Sequence, residues 1–331
     1  MAIKKTTHFN KTIYQNILKL KPILGIKKTL KYIGISYQQY HQLKQPRNCK
    51  LSVFKQCLIQ HPNQLHQQEV DIIEQYCTNP KYQFWKLISI FHQIRRDRTA
   101  FFSLRTFYKY ANAAGFRRQK IPTQRKNHTI GIRAGKPLEI LHVDTTILRL
   151  LDYTKAYIHL IQDNFSRAIL GVIVSQKCLA KNTFDNITQV YEKHLKDKID
   201  FNPIIITDDG SENKGEFKEF TQKALDPLLI HKIAQSIHFH FSNSMIENAN
   251  KQLKYCFLYH QKIPNFEHLL PYVQRAIADF NYRPHGVLNG FYPMEVLDGI
   301  KPLKIDYSEQ LAIATTNRIA LNRKIKACCV I

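Results

Sequence analysis

The sequence predicts an α/β protein: a mixed sheet flanked by helices, preceded by an all-α region that contains a helix-turn-helix. Three observations carry this. Residues 1–138 hold 26 Lys and Arg against 4 Asp and Glu, whereas residues 139–331 hold 23 against 21. The net charge of +24 therefore divides into +22 and +2. Apolar residues in the first part recur at helical spacing, while from residue 138 three β-rich runs come in succession. Alternating helix and strand signals follow them, as in a sheet with helices packed on it.

Composition narrows the class. At 44% hydrophobic and 22% charged residues the chain is globular, neither collagen-like nor wholly disordered. No apolar run approaches the roughly 18–20 residues of a spanning helix, so no membrane partner is expected and a cytosolic protein is. The 331 residues suggest about two domains at roughly 150 each. Seven cysteines show no C-x-x-C spacing, which leaves no zinc ribbon or disulfide framework to read. The terminal Cys328-Cys329-Val330-Ile331 superficially fits a prenylation box, without lipidated-protein context to support it.

The elements follow in order. IKKTLKYIGISYQQYHQL (26–43) predicts a short helix ending at Gly34 and a second capped by Ser36. Tyr37, Gln38, Gln39 and Lys44 then line the second helix within reach of phosphates or base edges; an ordinary helical pair is the alternative. Helices are also expected over 70–76 and 82–94, then from Ser103 to a C-cap at Gly115. Arg105 and Lys109 lie four apart on that last helix and share the face that would track a DNA backbone. The aperiodic stretch from Arg117 and Arg118 to Pro137 reads as a basic linker. Strands are expected within 138–150, 156–165, 168–175 and 203–207, and helices over 182–195, 215–225, 244–260 and 266–282. The expected domains are a helix-turn-helix region (1–60), a second helical DNA-binding region (61–116), the linker (117–137), a core (138–300) and a C-terminal tail (301–331). A field as lopsided as +22 repels itself in a compact domain and suits a polyanion, unless it only solubilises the surface.

Three acids of the core sit where acids are informative. Asp144 falls inside an apolar strand, where an unpaired carboxylate is costly to bury. Asp208 follows the apolar run PIIIT at a strand's carboxyl end, where α/β sheets place ligands. Glu247 lies near the start of a helix that later carries Lys251 and Lys254, and seven residues return Lys254 to Glu247's face. Three converging carboxylates would offer hard oxygens to two Mg²⁺ or Mn²⁺ ions suited to phosphodiester chemistry; solvated or capping acids are the alternative. His231, His238 and His240 lack a nearby cysteine pair, and His238 and His240 alternate with Phe239 and Phe241 as in an extended segment.

HVDTT (142–146), IQDNFSRAILG (161–171), TDDGSE (207–212), SNSMIENANKQLK (242–254) and NYRPHGVLNGFYPMEVL (281–297) occur in this order. Together they resemble the motifs of the DDE integrase core of bacterial insertion-sequence transposases and, more distantly, of retroviral integrases, over about residues 136–300. The resemblance implies a ribonuclease H-like core, with Asp144, Asp208 and Glu247 as the catalytic, metal-binding triad for two Mg²⁺ or Mn²⁺ ions. It implies that Lys254 contacts the DNA end, that Asp163 supports a turn, and that Arg283 either touches DNA or belongs to a helix terminator. Asp209 stands where the family often has Asn, and Leu141 replaces a common Trp. Thirty-eight residues separate Asp208 from Glu247, slightly more than usual.

The implied function is binding the ends of a mobile element, then metal-dependent strand cleavage and transfer into target DNA. Double-stranded DNA is the implied partner, with a homo-oligomer assembled on it in a bacterial, nucleoid-associated cytoplasmic setting. Two rivals stand beside it: a catalytically silent transposase-derived DNA-binding regulator, and a ribonuclease H-like nuclease acting on hybrids.

Overall fold

A computed structural model describes residues 2–44, 62–116, 131–196, 200–210, 219, 228–238 and 240–324. Arg117, Arg118, most of the linker, residues 45–60 of the helix-turn-helix region and all but Glu219 of the helix expected over 215–225 lie outside them. The chain forms two compact units, Met1–Glu74 with Arg105–Phe116 and Ser308–Ile331, and Gln75–Leu104 with Arg117–Tyr307. Residues 75–104, expected with the DNA-binding helices, thus cluster with the sheet, and the expected C-terminal tail contributes a helix to the first unit.

In the first unit, α1 (Ala2–Ile33) breaks at Gly25 (φ 71°, ψ 157°) and is followed by α2 (Tyr37–Lys44). Gly34 supplies the left-handed turn (φ 76°) that ends α1. Ser36 Oγ accepts from Gln39 N (3.1 Å) and Gln39 Oε1 accepts from Ser36 N (2.7 Å), a reciprocal cap of α2. Ile17, Leu30 and Tyr40 form a small core there, leaving Tyr37, Gln38 and Gln39 exposed. α3 (Gln67–Thr78) and α10 (Ser308–Lys324, numbered last in the chain) meet through Arg318, whose Nε donates to both Glu69 carboxylate oxygens at 2.9 and 2.8 Å. Both residues are buried, so removing either would strand a charge.

The second unit is built on a five-stranded sheet of order β3-β2-β1-β4-β5: β1 (Ile140–Arg149), β2 (Lys155–Asp163), β3 (Ile169–Ser175), β4 (Ile204–Thr207) and β5 (Ile230–Ile233). β1, β2 and β3 are antiparallel neighbours, while β4 runs parallel to β1 and β5 parallel to β4. This mixed sheet flanked by helices is the ribonuclease H-like fold. β5 was not expected, because IHKI carries no apolar run or strict alternation.

Strand alternation assigns the faces. Leu141, Val143, Ile161 and Ile205 pack against Ile187 and Val190 of α6 (Ala180–Val190) and the π-turn Tyr191–Leu195 that prolongs it. Leu148, Ile158 and Leu160 point the other way, onto α7 (Ser244–Cys256) and α8 (Leu269–Asn281). α7 buries Ile246, Ala249 and Leu253, one stripe at helical spacing, and each fully buried Ile or Leu contributes about 1.5–3 kcal/mol. α4 (Leu87–Arg96) and α9 (Pro293–Leu297) are joined by the Arg96–Glu295 ion pair. Arg96 also lies over the Tyr292 ring at 4.1 Å. α5 (Leu104–Ala113) ends before Gly115, whose φ of 89° supports the expected stop.

Gly171 on β3 lets α6 approach: a Cβ there would lie 2.5 Å from both Asn186 Oδ1 and Val190 Cγ2. Gly171→Ala is expected to destabilise the fold by about 1–3 kcal/mol, read as a lower urea midpoint at unchanged m-value.

Candidate acidic site on the central strand

Asp144 stands in the middle of β1, opposite Leu160 of β2, on the sheet face covered by α7. Because His142 pairs with Ile206 in the parallel β1–β4 ladder, Asp208 leaves β4 beside Asp144. Glu247 lies in the first turn of α7. Burial first, then Asp208 and more weakly Glu247, push the Asp144 carboxyl up to about 7. Asp209 is exposed and is not among the groups acting on Asp144.

Two donors work against that shift. Asn250 Nδ2 donates to Asp144 Oδ2 at 2.7 Å, and Thr145 N donates to Oδ1 at 3.0 Å. Asn250 lies three residues beyond Glu247 and so shares its helix face. Among the described residues its Oδ1 is buried without a hydrogen-bond partner, an unspent oxygen on the amide that binds Asp144. Among the described residues no group of three or more His, Cys, Asp or Glu side chains is placed to hold a metal ion. Asp144, Asp208 and Glu247 carry the hard oxygens that Mg²⁺ or Mn²⁺ takes, and the repulsion on Asp144 is of the kind a cation relieves, so the donor chemistry fits such an ion although no ligand cluster is formed.

A buried hydrogen-bonded chain holds α7 to the strand. Asn243, just before α7, makes no side-chain cap; its Nδ2 donates instead to Val143 O at 2.8 Å. Its Oδ1 must then accept from His142 Nδ1 (2.7 Å), and His142 Nε2 accepts from Asn164 Nδ2 (2.8 Å). Burial lowers the His142 pKa to about 4, so the neutral ring that this chain needs is the form present at neutral pH. Asp163, expected to support a turn, accepts from Leu138 N (2.8 Å) and Ser166 N (2.6 Å). Asn243, Asn250 and Asn164 were not singled out in the sequence, although each lies inside a quoted motif; the Glu247–Asn250 spacing was the available signal.

The expected DNA contacts divide. Lys254 Nζ reaches Ile147 O at 3.4 Å; burial lowers its pKa, Asp144 raises it and Lys251 lowers it, so Lys254 lies within the field of Asp144. Lys251 is half-buried on the same helix, and Arg105 and Lys109 are exposed on α5. Arg283, expected either to touch DNA or to belong to a helix terminator, is enclosed by protein. It is 3% exposed, and its guanidinium donates to Asp279 Oδ2 (3.1 Å) and Gln252 Oε1 (3.0 Å), while Trp85 Nε1 donates to Asp279 Oδ1 (2.6 Å). Arg283 thus ties α8 to α7 and presents no donor to DNA. His231 contacts Thr207 Oγ1 at 2.9 Å, and His238 is exposed in a turn, not in the extended segment expected.

Sheet order, strand direction and helix placement are those of the ribonuclease H-like class. No protein-family profile matches the chain, and no curated protein does. Among solved structures, the magnesium complex of the HTLV-2 integrase catalytic core is 22% identical and covers 50% of this chain and 99% of its own, with a TM-score of 0.39. The simian T-cell lymphotropic virus intasome bound to PP2A regulatory subunit B56 gamma is 13% identical, covers 67% and 78%, and has a TM-score of 0.41. The BIV integrase core is 14% identical over 48% and 93%, at 0.35.

The Asp144 carboxyl binds its proton more tightly in the fold than at its ordinary value of 3.8. Its contribution to stability is therefore complete below about pH 4, declines as pH rises and is lost above about pH 7. Without divalent metal, Asp144→Asn is expected to be more stable than wild type by about 1–2 kcal/mol at pH 8, an advantage that vanishes near pH 4. Urea melts at the two pH values check this.

Proposed function

We propose that the chain is a DNA transposase of the DDE type, which binds the ends of a mobile element and cuts and joins DNA strands at the Asp144 cleft. The observation that carries this is a half-buried strand carboxylate, Asp144, raised in pKa by desolvation, then by an acid that follows the next strand and by an acid of the covering helix. Structural acids are ordinarily paired with bases; a carboxyl raised by two other acids points to a cation and to phosphate chemistry.

Asp144, Asp208 and Glu247 would hold the divalent ions, with Asn250 Oδ1 close by. Bound there, the cation supplies Lewis acidity and neutralises charge developing on the phosphodiester. The chain's own residues do the rest. Asn250 and Thr145 N orient the Asp144 carboxylate. Asn243 and His142 set the position of the helix that carries Glu247. Lys254, on that helix, offers a cation to the DNA end. Water attacks one phosphodiester to free a 3′-hydroxyl, which then attacks another in line, so no protein nucleophile is required.

The net +22 before Glu139 supports duplex DNA as the partner, with Arg105, Lys109, Arg117 and Arg118 as phosphate contacts and Lys251 and Lys254 nearer the cleft. Two element ends call for two cleavage sites, hence a homo-oligomer on DNA. The bacterial, nucleoid-associated setting belongs to the same reading.

Purified protein, DNA from either side of its gene and Mg²⁺ test the proposal. Asp144→Asn and Glu247→Gln are each expected to lower cleavage and joining by more than about 100-fold, beyond the effect typical of outer-shell changes, while end binding persists. Wild-type activity in either variant would sink the assignment. In thermal melts, Mg²⁺ is expected to raise the Tm of wild type and to leave that of Asp144→Asn nearly unchanged.

A further inference from the structure

The turn between β2 and β3 carries a cation that the acidic cleft does not use. Arg167 has a φ of 69°, a left-handed backbone that side chains rarely adopt. Its guanidinium is half-buried, and Nη1 meets only Met245 Sδ, a weak acceptor. Among the described residues Arg167 makes no ion pair. Asp163, the carboxylate that attracts it, is already committed to two backbone N–H groups.

A second arginine is brought to the same place. Asn164 pins the segment before β1 from both sides, accepting from Ala134 N (2.9 Å) and donating to Ile132 O (3.3 Å). This sets exposed Arg133 near Arg167, and after burial its charge is the next cause lowering the Arg167 pKa, to about 10. Met245 lies in the first turn of α7, and Asn243 does not cap that turn because its side chain is bound to β1. Two like charges, one half-buried and neither ion-paired among the described residues, beside the N-terminus of a 13-residue helix that lacks a side-chain cap, favour an anion.

We propose that Arg167 and Arg133, with the first turn of α7, form a binding site for a backbone phosphate of DNA. Met245 precedes Glu247 by two residues, so this phosphate belongs to the strand entering the cleft. The inference rests on the transposase reading and adds a contact that the DDE motifs do not assign. The arginine fork suits a phosphate held by paired N–H donors.

The test measures the affinity of the full chain for a short random-sequence DNA duplex as a function of KCl, since phosphate contacts are independent of base sequence. Arg133→Gln and Arg167→Gln are each expected to weaken binding several-fold and to reduce the slope of log K against log salt by about 1. Arg167→Lys is expected to keep the slope and lose affinity. Arg133 is exposed, so Arg133→Gln alone decides the matter if the turn variant fails to fold. Wild-type slope and affinity in Arg133→Gln, beside intact Mg²⁺-dependent joining, overturn the arginine site alone. Reduced slopes in a protein that never cuts or joins DNA keep the phosphate site and overturn the transposase reading.

Discussion

Function at this cleft depends on how α7 is held against β1. Three carboxylates delivered by two strands and a helix can share a ligand only if helix and sheet keep one register, to within roughly 0.5 Å. Apolar burial of Ile246, Ala249 and Leu253 pulls the helix down, yet that force has no direction and would tolerate a slide. Direction comes from Asn243, whose amide is joined at both atoms to consecutive residues of the strand that carries Asp144. Using the side chain this way leaves the helix without its cap, and the uncapped turn is where Arg167 gathers positive charge.

Charge is organised on two scales. Over the whole sequence the positive excess lies before residue 139, where it suits a long polyanion. Within the nearly neutral second part, the acids repel one another next to Asp144 while Lys254 and Arg167 lie on or against the same helix. Acids crowded in this way repel an anion, whereas the bases on and against the same helix attract one.

Much of this was legible in the primary structure. The first four strands, α6, α7 and α8 follow from apolar periodicity, and the three acids stood out because a carboxylate inside an apolar run has to be explained. β5 escaped notice because a four-residue edge strand carries too little pattern. Of the two readings of Arg283, the sequence could not choose, because an arginine after a helix resembles a surface cation; only packing shows Asp279 and Gln252 enclosing it. Residues 75–104 were grouped with the basic helices by sequence proximity, whereas Trp85 and Arg96 are bound to Asp279 and Glu295, some 200 residues away.

The sequence by itself determined the local facts: which segments are helix or strand, which end caps which turn, where charge accumulates and which acids are out of place. These depend on neighbours within a few residues and are written in composition and period. The tertiary structure decided what the acids and bases mean. It set Asp208 beside Asp144, gave Asn250 to the Asp144 carboxylate, and enclosed Arg283 between Asp279 and Gln252. The physical reason is range. Desolvation and charge coupling act through space across residues far apart in the chain, so the burial and pairing that fix a side chain's role exist only once the sheet and its helices have closed around it.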